Sequence, residues 1–218
     1  LTVSLPAPLV PVDLRFEVQE RVLHTGEVLQ SLDPEQLQTV AADIQVSGAE
    51  AVAICLLFSF LHPEHENLIA QSLRASGYYV SVSSEILPEF REYERCSTTV
   101  VNAYVSPVLG KYLTYLEDKL EPGMHLSIMQ SNGGAIQPAE ARLAGVRCIL
   151  SGPAGGVVGC EYIGKSISGG ENLRLIGFDM GGTSTDVSLI DGTRQITTEA
   201  VVSGHPIHLP MLDIHTIG

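Results

Sequence analysis

Basic residues, aromatic residues and long apolar runs are all scarce in this sequence. The chain has 12 Lys and Arg residues against 25 Asp and Glu, which gives a formal net charge of −13. A surface with this charge repels nucleic acid and anionic membranes, so we expect neither as a partner. The longest apolar run, residues 51–61, is shorter than the roughly 20 residues that a membrane-spanning helix needs. We predict a buried strand there instead.

Cysteine is also rare, and its spacing excludes the common paired motifs. The four cysteines are far apart in the sequence: Cys55, Cys96, Cys148 and Cys160. Because they form no Cys-x-x-Cys pair, we expect reduced thiols and a cytoplasmic protein. Residues 1–8 contain no basic segment and no initiator Met, so they do not resemble a signal peptide. A start of this kind suggests a fragment of a longer protein.

The residues that are present indicate a globular α/β protein. Asp33 suits the N-cap of a helix, Pro34 its first position and Gln36 the capping-box position. The helix is predicted to end at Ser47, with Gly48 just past its end. A continuous apolar strand, a second helix and an alternating strand are predicted to follow, at residues 50–59, 63–77 and 78–83. This order predicts a layered α/β sheet.

A long helical stretch is predicted at residues 92–120. Pro107 must start, kink or split it, because proline lacks the N–H that a mid-helix position needs. We expect this stretch to link two lobes. Residues 1–90 would be the tail of a first α/β lobe, residues 91–121 the linking helix region, and residues 122–218 a second lobe.

The second part of the chain is rich in glycine. A tight turn is predicted at residues 131–134, a short helix at residues 138–144, and a small-residue helix that ends near residues 168–170. The predicted strands lie at residues 125–130, 146–150, 173–179, 186–191 and 194–202.

The segment that joins two of these strands, residues 177–186, can bind phosphate. Gly181 and Gly182 lack Cβ, so their N–H groups can approach an anion closely. Hydroxyls follow at Thr183, Ser184 and Thr185. Asp179 and Asp186 flank the loop at strand ends, where carboxylates can hold the waters of a Mg²⁺ ion. A plain Gly-Gly hairpin with Ser and Thr capping explains the same residues, and both interpretations stay open.

A second glycine cluster, residues 151–156, is predicted to lie between a strand and a helix. Ser151 can cap that helix, and the free N–H groups of the first turn, with the helix dipole, favour an anion in front of them. Close packing of a small-residue helix on the sheet is an equally good interpretation.

Two further patterns compete with the hairpin. Residues 159–166 match the P-loop pattern G-x-x-x-x-G-K-[ST], but their surroundings look helical, so a chance match is the better explanation. Four residues near the C-terminus could ligate Zn²⁺ or Mn²⁺, although structural or loop roles suit them better: His205, His208, Asp213 and His215.

Five stretches together form a specific pattern. They are residues 178–187 (FDMGGTSTDV), 151–156 (SGPAGG), 129–134 (MQSNGG), 212–218 (LDIHTIG) and 87–102. In combination they resemble the hydantoinase A / 5-oxoprolinase family, over nearly the whole chain. The resemblance implies RNase H-like, actin-like ATPase lobes of the actin/hexokinase/Hsp70 superfamily.

The resemblance also implies an activity. Members of the family hydrolyse cyclic amides such as hydantoins or 5-oxoproline at the expense of ATP, and relatives carboxylate ketones. The implied cofactors are ATP and Mg²⁺. The implied substrate is a small cyclic amide, and the implied partner is a hydantoinase B-type subunit or fused domain.

By matched motif, the hairpin would be the second phosphate loop of the family, with Asp179 and Asp186 as catalytic residues that bind Mg²⁺. Phosphoryl transfer needs positioning and charge stabilisation above all, which suits such residues. The implied nucleotide contacts are Gly181, Gly182, Thr183, Ser184, Thr185, Ser151, Gly152, Gly155, Gly156, Asn132 and Gly133.

Two family features are missing from the sequence. One is the Asp-x-Gly-Gly-Thr loop of the N-terminal lobe, and the other is the Gly-rich segment that follows the motif at residues 212–218. We therefore expect incomplete lobes, and a fragment that alone binds ATP weakly and turns nothing over. The alternatives are a ketone carboxylase subunit of the same family, and a non-catalytic actin-like scaffold or sugar-kinase-like protein.

Overall fold

The computed structural model describes residues 7–169 and 173–217. Unit 1 comprises the residues up to Val108 together with Val201–His208, and unit 2 comprises Leu109–Ala200 with the residues from Leu209 on. The division falls inside one long helix, and the three-part division at residues 90 and 121 stays a prediction. The first six residues, Gly170 and the Gly218 of the last motif lie outside the described residues, and the predicted end of the small-residue helix is confirmed at Ser168.

Unit 1 alternates helices and strands. After a 3₁₀ turn, Val12–Leu14, its elements are β1 (Arg21–Val22), β2 (Val28–Gln30), α1 (Pro34–Ser47), β3 (Ala51–Ile54), α2 (Glu64–Ala75), β4 (Tyr79–Val82), α3 (Ser83–Ile86) and the first part of α4 (Glu92–Glu117). β3 and β4 pair in parallel, with Ala51 opposite Tyr79. A parallel pair needs a crossover connection, which α2 provides. The predicted order of helix, strand, helix and strand is therefore confirmed.

The ends of α1 follow from the sequence signals. Asp33 Oδ1 accepts from the N–H of Glu35 at 2.9 Å, and Gly48 ends the helix in the left-handed region with a φ of 71°. The capping-box role of Gln36 is wrong, because its side-chain oxygen accepts from the N–H of Gln19 instead, at 2.7 Å. Buried side chains of α1, α2, β3 and β4 form the core of unit 1: Ile44, Ile54, Ile69, Ala70, Leu73, Val80 and Val82.

The predicted strand at residues 50–59 is too long, because β3 ends at Ile54. The Leu56 peptide is bound by side chains and not by a neighbouring strand. Its N–H donates to Glu66 Oε1 at 2.8 Å, and its carbonyl accepts from Arg95 Nη2 at 2.7 Å. Phe58 then has a φ of 59° and the chain turns. Residues distant in the sequence end this strand, so the local apolar pattern could not show it.

The long helix is confirmed as α4, and Pro107 lies inside it. Proline therefore neither starts nor splits the helix. The buried part of α4 within unit 1 carries several polar side chains, among them Arg95, Thr98 and Asn102.

Unit 2 contains the rest of the chain apart from one short hairpin. Its elements after α4 are β5 (Ile128–Met129), β6 (Ala135–Ile136), α5 (Pro138–Leu143), a 3₁₀ turn (Gly145–Cys148), α6 (Ser151–Ser168), β7 (Arg174–Met180), β8 (Thr185–Asp191), β9 (Thr193–Arg194), β10 (Ile196–Thr197), β13 (Met211–Leu212) and β14 (Ile214–Ile217). β11 (Ala200–Val202) and β12 (His205–Ile207) pair with each other. The main sheet has the order β14-β8-β7, with β9 added to β8.

Three strand predictions in this part need correction. The strand at residues 125–130 is reduced to β5, and residues 146–150 form the end of a 3₁₀ helix and a turn. The single strand at residues 194–202 is three short ones, because the chain changes partner: β9 pairs with β8, whereas β10 pairs with β13. The tight turn at residues 131–134 is confirmed as the connection between β5 and β6.

Helix α6 lies against β7 through small residues. A Cβ at Gly164 would lie 2.5 Å from a methyl of Leu175, and a Cβ at Gly177 would lie 3.6 Å from Cys160 Sγ. At Gly164 the lack of a Cβ permits a close approach that a larger residue would block, whereas the distance at Gly177 is an ordinary van der Waals contact. This packing involves the second half of the helix, so both interpretations of the cluster at residues 151–156 stay open.

Along the described residues, no helix combines the length and the apolar character that crossing a membrane requires.

Candidate functional site

The hairpin formed by β7 and β8 places two carboxylates side by side. Asp179 and Asp186 are directly opposite each other in the antiparallel pairing, and Met180 opposite Thr185 is the last pair before the loop. Side chains of directly paired residues extend from the same face of a sheet. The two acids that the sequence predicted as site residues therefore lie together on one face of the hairpin.

That face is turned toward the first half of α6. A Cβ at Gly156 would lie 3.3 Å from Asp179 Oδ2, so the carboxylate reaches the helix backbone where a side chain is lacking. Gly156 belongs to the second turn of α6, near the end where helix N–H groups are unpaired. The cluster at residues 151–156 and the hairpin are thus in contact.

Thr216 completes the surroundings of the acids. It lies opposite Asp186 on β14, and its hydroxyl donates to Asp186 Oδ1 at 2.6 Å. Our candidate residues did not include Thr216, although it belongs to the motif at residues 212–218. The motif includes Thr216, but one sequence does not show the cross-strand register that places Thr216 opposite Asp186.

Two like charges directly opposite each other on neighbouring strands repel. Within the described residues, no Lys or Arg pairs with Asp179 or Asp186, and no group of three or more His, Cys, Asp and Glu side chains could hold a metal ion. A Mg²⁺ ion bound by one or two carboxylates, with waters and phosphate oxygens as its other ligands, fits this donor set. The residues present therefore suit a cation that a phosphate ligand brings with it.

The loop at the tip of the hairpin consists of residues 181–184. The N–H of Gly181 donates to the carbonyl of Ser184 at 2.9 Å, which closes the loop and occupies that donor. Gly182 and Thr183 form the exposed tip, and the position of a Cβ on Gly182 is open space. Thr185 belongs to β8, where side-chain alternation puts it on the face opposite Asp186. Phosphate binding by the five candidate residues 181–185 stays a prediction, and Gly182 and Thr183 are the most accessible of them.

The cluster at residues 151–156 is helical and not a loop between a strand and a helix. Ser151 is the first residue of α6, the N-cap is Leu150, and no side chain caps this helix. The capping role of Ser151 is therefore wrong, because a 3₁₀ turn and not a strand leads into the helix. Gly152 and Gly155 have open space where a Cβ would be.

Ser131 connects three of the motifs within unit 2. Its N–H donates to the carbonyl of Arg147 at 2.7 Å, and its hydroxyl accepts from the N–H of Leu150 at 3.1 Å. Its carbonyl accepts from the N–H of Leu212 at 2.8 Å. Asn132 stabilises the turn itself, since its Oδ1 accepts from the N–H of Gly134 at 2.8 Å. The turn that contains Asn132 and Gly133 is thereby fixed to the start of α6 and to the strand before β14.

The P-loop match lies entirely within α6. A phosphate-binding loop needs free backbone N–H groups, which a continuous helix does not offer. Lys165 is instead paired with Glu161 one turn before it, with Nζ 2.8 Å from Oε1. The chance-match interpretation is confirmed.

The metal hypothesis is not supported, because no group of three or more His, Cys, Asp and Glu side chains in the described part of the chain could hold a metal ion. His205 and His208 belong to unit 1, whereas Asp213 and His215 belong to unit 2. His208 Nε2 lies 3.4 Å from Glu89 Oε2. His215 is opposite Val187, on the face of the sheet that Thr216 does not share, and 3.9 Å from Asp213.

Comparison with known proteins shows the family. The model of the hydantoinase/oxoprolinase family matches residues 95–218, and that of the hydantoinase/oxoprolinase N-terminal region matches residues 2–77. The chain belongs to the hydantoinase/oxoprolinase family. Among its relatives, the 5-oxoprolinase of Saccharomyces cerevisiae is 38% identical over 91% of this chain and 16% of its own length. Caprolactamase subunit alpha of Pseudomonas jessenii is 32% identical over 96% of this chain and 31% of its own length.

Two solved structures share the fold. The nucleotide-free structure of acetone carboxylase, an enzyme of ATP-dependent acetone carboxylation, has a TM-score of 0.83 at 28% identity and covers 97% of this chain. ATP-dependent caprolactamase from Pseudomonas jessenii has a TM-score of 0.84 at 30% identity and covers 98%. This chain spans 31% of each. The predicted α/β, actin-like ATPase fold is confirmed, and the family is one of ATP-dependent cyclic amide hydrolases and carboxylases.

Proposed function

We propose that this chain is part of an ATP-dependent hydrolase that opens a small cyclic amide, and that unit 2 contributes one side of its nucleotide site. The observation that carries the proposal is the pair of carboxylates, Asp179 and Asp186, opposite each other beside an exposed Gly-Thr loop. Such a pair costs stability unless a cation joins it, so its presence favours a ligand that brings one.

Each part of the site has a proposed role. Asp179 and Asp186 hold the waters or ligands of Mg²⁺, and Thr216 orients Asp186 through its hydrogen bond. The loop at residues 181–184 contacts phosphate oxygens with N–H groups and hydroxyls. Residues 151–156, at the start of α6, add a positive helix end, which favours negative charge nearby. Asn132 and Gly133 contact the nucleotide from the neighbouring turn.

When bound, Mg·ATP supplies the phosphoryl group that activates the amide carbonyl for ring opening. The protein contributes position and charge, because the bond changes of phosphoryl transfer require little else from side chains. Relatives named 5-oxoprolinase and caprolactamase support a cyclic amide as substrate. A name that includes "subunit alpha" supports a partner polypeptide, for which a hydantoinase B-type subunit or fused domain is our proposal.

A second function is favoured by one observation, the similarity to acetone carboxylase. In that case a ketone and bicarbonate replace the cyclic amide, and the nucleotide site serves the same phosphoryl chemistry. A non-catalytic actin-like scaffold would keep the fold and lose turnover. The cytoplasmic location is part of the same proposal, and four free cysteines support it.

The test is ATP hydrolysis by the full-length protein with its partner polypeptide, measured as ADP release. The compounds to compare are 5-oxoproline, hydantoin, caprolactam, and acetone with bicarbonate. Stimulation by one of the cyclic amides, with release of the open amino acid, is the expected result. Stimulation by acetone with bicarbonate alone would replace the proposal with the carboxylase. Tight binding of Mg·ATP without turnover under any condition would favour the scaffold.

A further inference from the structure

A buried carboxylate behind the proposed site binds two cations at once. Glu161 lies on α6 and its side chain is 11% exposed. Its Oε1 is 2.8 Å from Lys165 Nζ, and its Oε2 is 2.8 Å from Arg194 Nε on β9. One negative charge thus meets two positive ones. The group of three carries a net positive charge, and Arg194 uses only one edge of its guanidinium on Glu161.

The remaining edge of Arg194 is directed at the turn of residues 131–134. Nη1 lies 3.5 Å from the carbonyl oxygen of Gly133. A Cβ at Gly133 would lie only 2.5 Å from the same nitrogen, so the guanidinium occupies the space that a side chain would need. Gly133 also has a φ of 81°, which glycine adopts without strain. Glycine at this position therefore serves both the backbone conformation and the contact with Arg194.

Ser131 fixes the start of this turn to Leu150 and Leu212, whereas two hydrogen bonds at the tip are local. Gly133 N–H donates to the carbonyl of Gln130 at 3.0 Å, and Gly134 N–H donates to Asn132 Oδ1 at 2.8 Å. These two bonds define the shape of the tip, which also lies against α6, since a Cβ at Gly133 would be 3.0 Å from Val158 Cγ2. Arg194 adds a polar connection between the tip and α6, because Glu161 holds it from the helix while its Nη1 meets the Gly133 carbonyl.

We propose that Arg194, held by Glu161, is a positioning residue that fixes the turn containing Asn132 and Gly133 against α6, in the conformation that contacts the nucleotide. The inference rests on the proposed function for its role in nucleotide binding. Lys165 shares the same carboxylate but makes no contact with the turn. It is therefore a matched control, since its loss removes one cation from Glu161 and leaves Gly133 untouched.

The experiment compares Arg194→Gln with Lys165→Gln in the full-length protein, by calorimetric titration with Mg·ADP. The Kd of Arg194→Gln should rise about tenfold, as expected for the loss of a hydrogen bond to a charged group. The Kd of Lys165→Gln should stay within about twofold of the wild type. Arg194→Lys should show an intermediate Kd, because one ammonium cannot serve Glu161 and Gly133 with the geometry of a guanidinium.

Amide hydrogen exchange of residues 128–136 gives a second readout that does not need nucleotide. The amides of Gly133 and Gly134 should exchange faster in Arg194→Gln than in Lys165→Gln. Equal exchange in the two variants, or equal Kd values for Mg·ADP, would overturn the positioning role. Absence of Mg·ADP binding by the wild type would overturn the proposed function, and the exchange comparison would then decide the contact with the turn by itself.

Discussion

Two regions of this molecule differ in whether the protein supplies partners for their charged side chains. Just after β3 in unit 1, Glu66 and Arg95 are buried. Glu66 accepts from the backbone N–H of Leu56, and Arg95 donates to the carbonyl of Leu56. In the hairpin of unit 2, Asp179 and Asp186 face each other across two strands. No described cation pairs with either of them.

The difference separates charges that serve the fold from charges that serve a ligand. Glu66 is fully buried and accepts from three donors, and these hydrogen bonds offset the free energy of removing the carboxylate from water. Asp179 is exposed and Asp186 has one hydroxyl donor, Thr216. Charges that the protein leaves uncompensated at an accessible place are the ones for which a bound cation has the most to contribute.

The largest effect is expected for Glu66→Gln. All three partners of the carboxylate are donors, namely Leu56 N–H, Ser83 O–H and Ser84 N–H. An amide would present its own N–H₂ to at least one of them, which leaves buried donors without acceptors. The free energy of unfolding should fall by about 2–4 kcal/mol. Thermal or urea unfolding followed by circular dichroism measures it.

The matched control is Glu64→Gln, on the same helix. The side chain of Glu64 is mostly exposed and pairs with His62. Its replacement should change the free energy of unfolding by less than about 0.5 kcal/mol. If both variants lose a similar free energy of unfolding, the buried hydrogen bonds of Glu66 do not stabilise the fold more than an exposed ion pair does. That result would contradict the comparison between the two regions.

Cys96 tests whether the surroundings of Arg95 stabilise negative charge. The hydrogen bond from the Cys55 thiol, with the positive charges of Arg95 and Arg15, lowers the pKa of Cys96 from 9.0 to about 7. The thiolate fraction rises with pH, so alkylation of Cys96 by iodoacetamide should reach half of its maximal rate near pH 7. Mass spectrometry of the alkylated peptides over a pH series measures this.

The control for Cys96 is Cys55→Ala, which removes the largest cause of the shift. The midpoint for Cys96 should then move toward the ordinary thiol value. Burial raises the pKa of Cys148, so this residue should react only at higher pH. A midpoint for Cys96 that matches that of Cys148 would contradict the electrostatic difference we assign to unit 1.

The smallest effect, and the opposite sign, is expected for Asp179→Asn in the absence of divalent ions. The substitution removes the repulsion between paired carboxylates, so stability should rise by roughly a few tenths of a kcal/mol, reduced by solvent screening. Added Mg²⁺ with ADP should raise the melting temperature of the wild type and not that of the variant. A clear loss of stability in metal-free Asp179→Asn would mean that Asp179 stabilises the fold, and would contradict its role as a ligand-binding residue.

The elements that the sequence predicted well are those with local signals. The cap at Asp33 and the end at Gly48 define α1, and the glycine pair between two apolar strands defines the hairpin of β7 and β8. Both depend on neighbours within a few residues, which one sequence contains. The wrong predictions depend on distant partners: Arg95 and Glu66 end β3, and β13 takes over the pairing of β10.

The sequence also predicted one part of the candidate site and not the other. The residues of the hairpin and of the cluster at residues 151–156 were identified, and the structure brings Asp179 to Gly156. Thr216 and Arg194 were missed as members, because their contacts arise from a cross-strand register and from a salt bridge to α6. Periodicity and spacing do not contain that information.

The most direct test of the central claim is ATP hydrolysis by the full-length protein with its partner, for Asp179→Asn beside Lys165→Ala. If the paired carboxylates bind the metal of the nucleotide, Asp179→Asn lowers the rate at least about 100-fold. Lys165→Ala, which removes one of the two cations paired with Glu161, leaves the rate within about twofold. Loss of hydrolysis in Lys165→Ala alone, with Asp179→Asn as active as the wild type, would contradict the account.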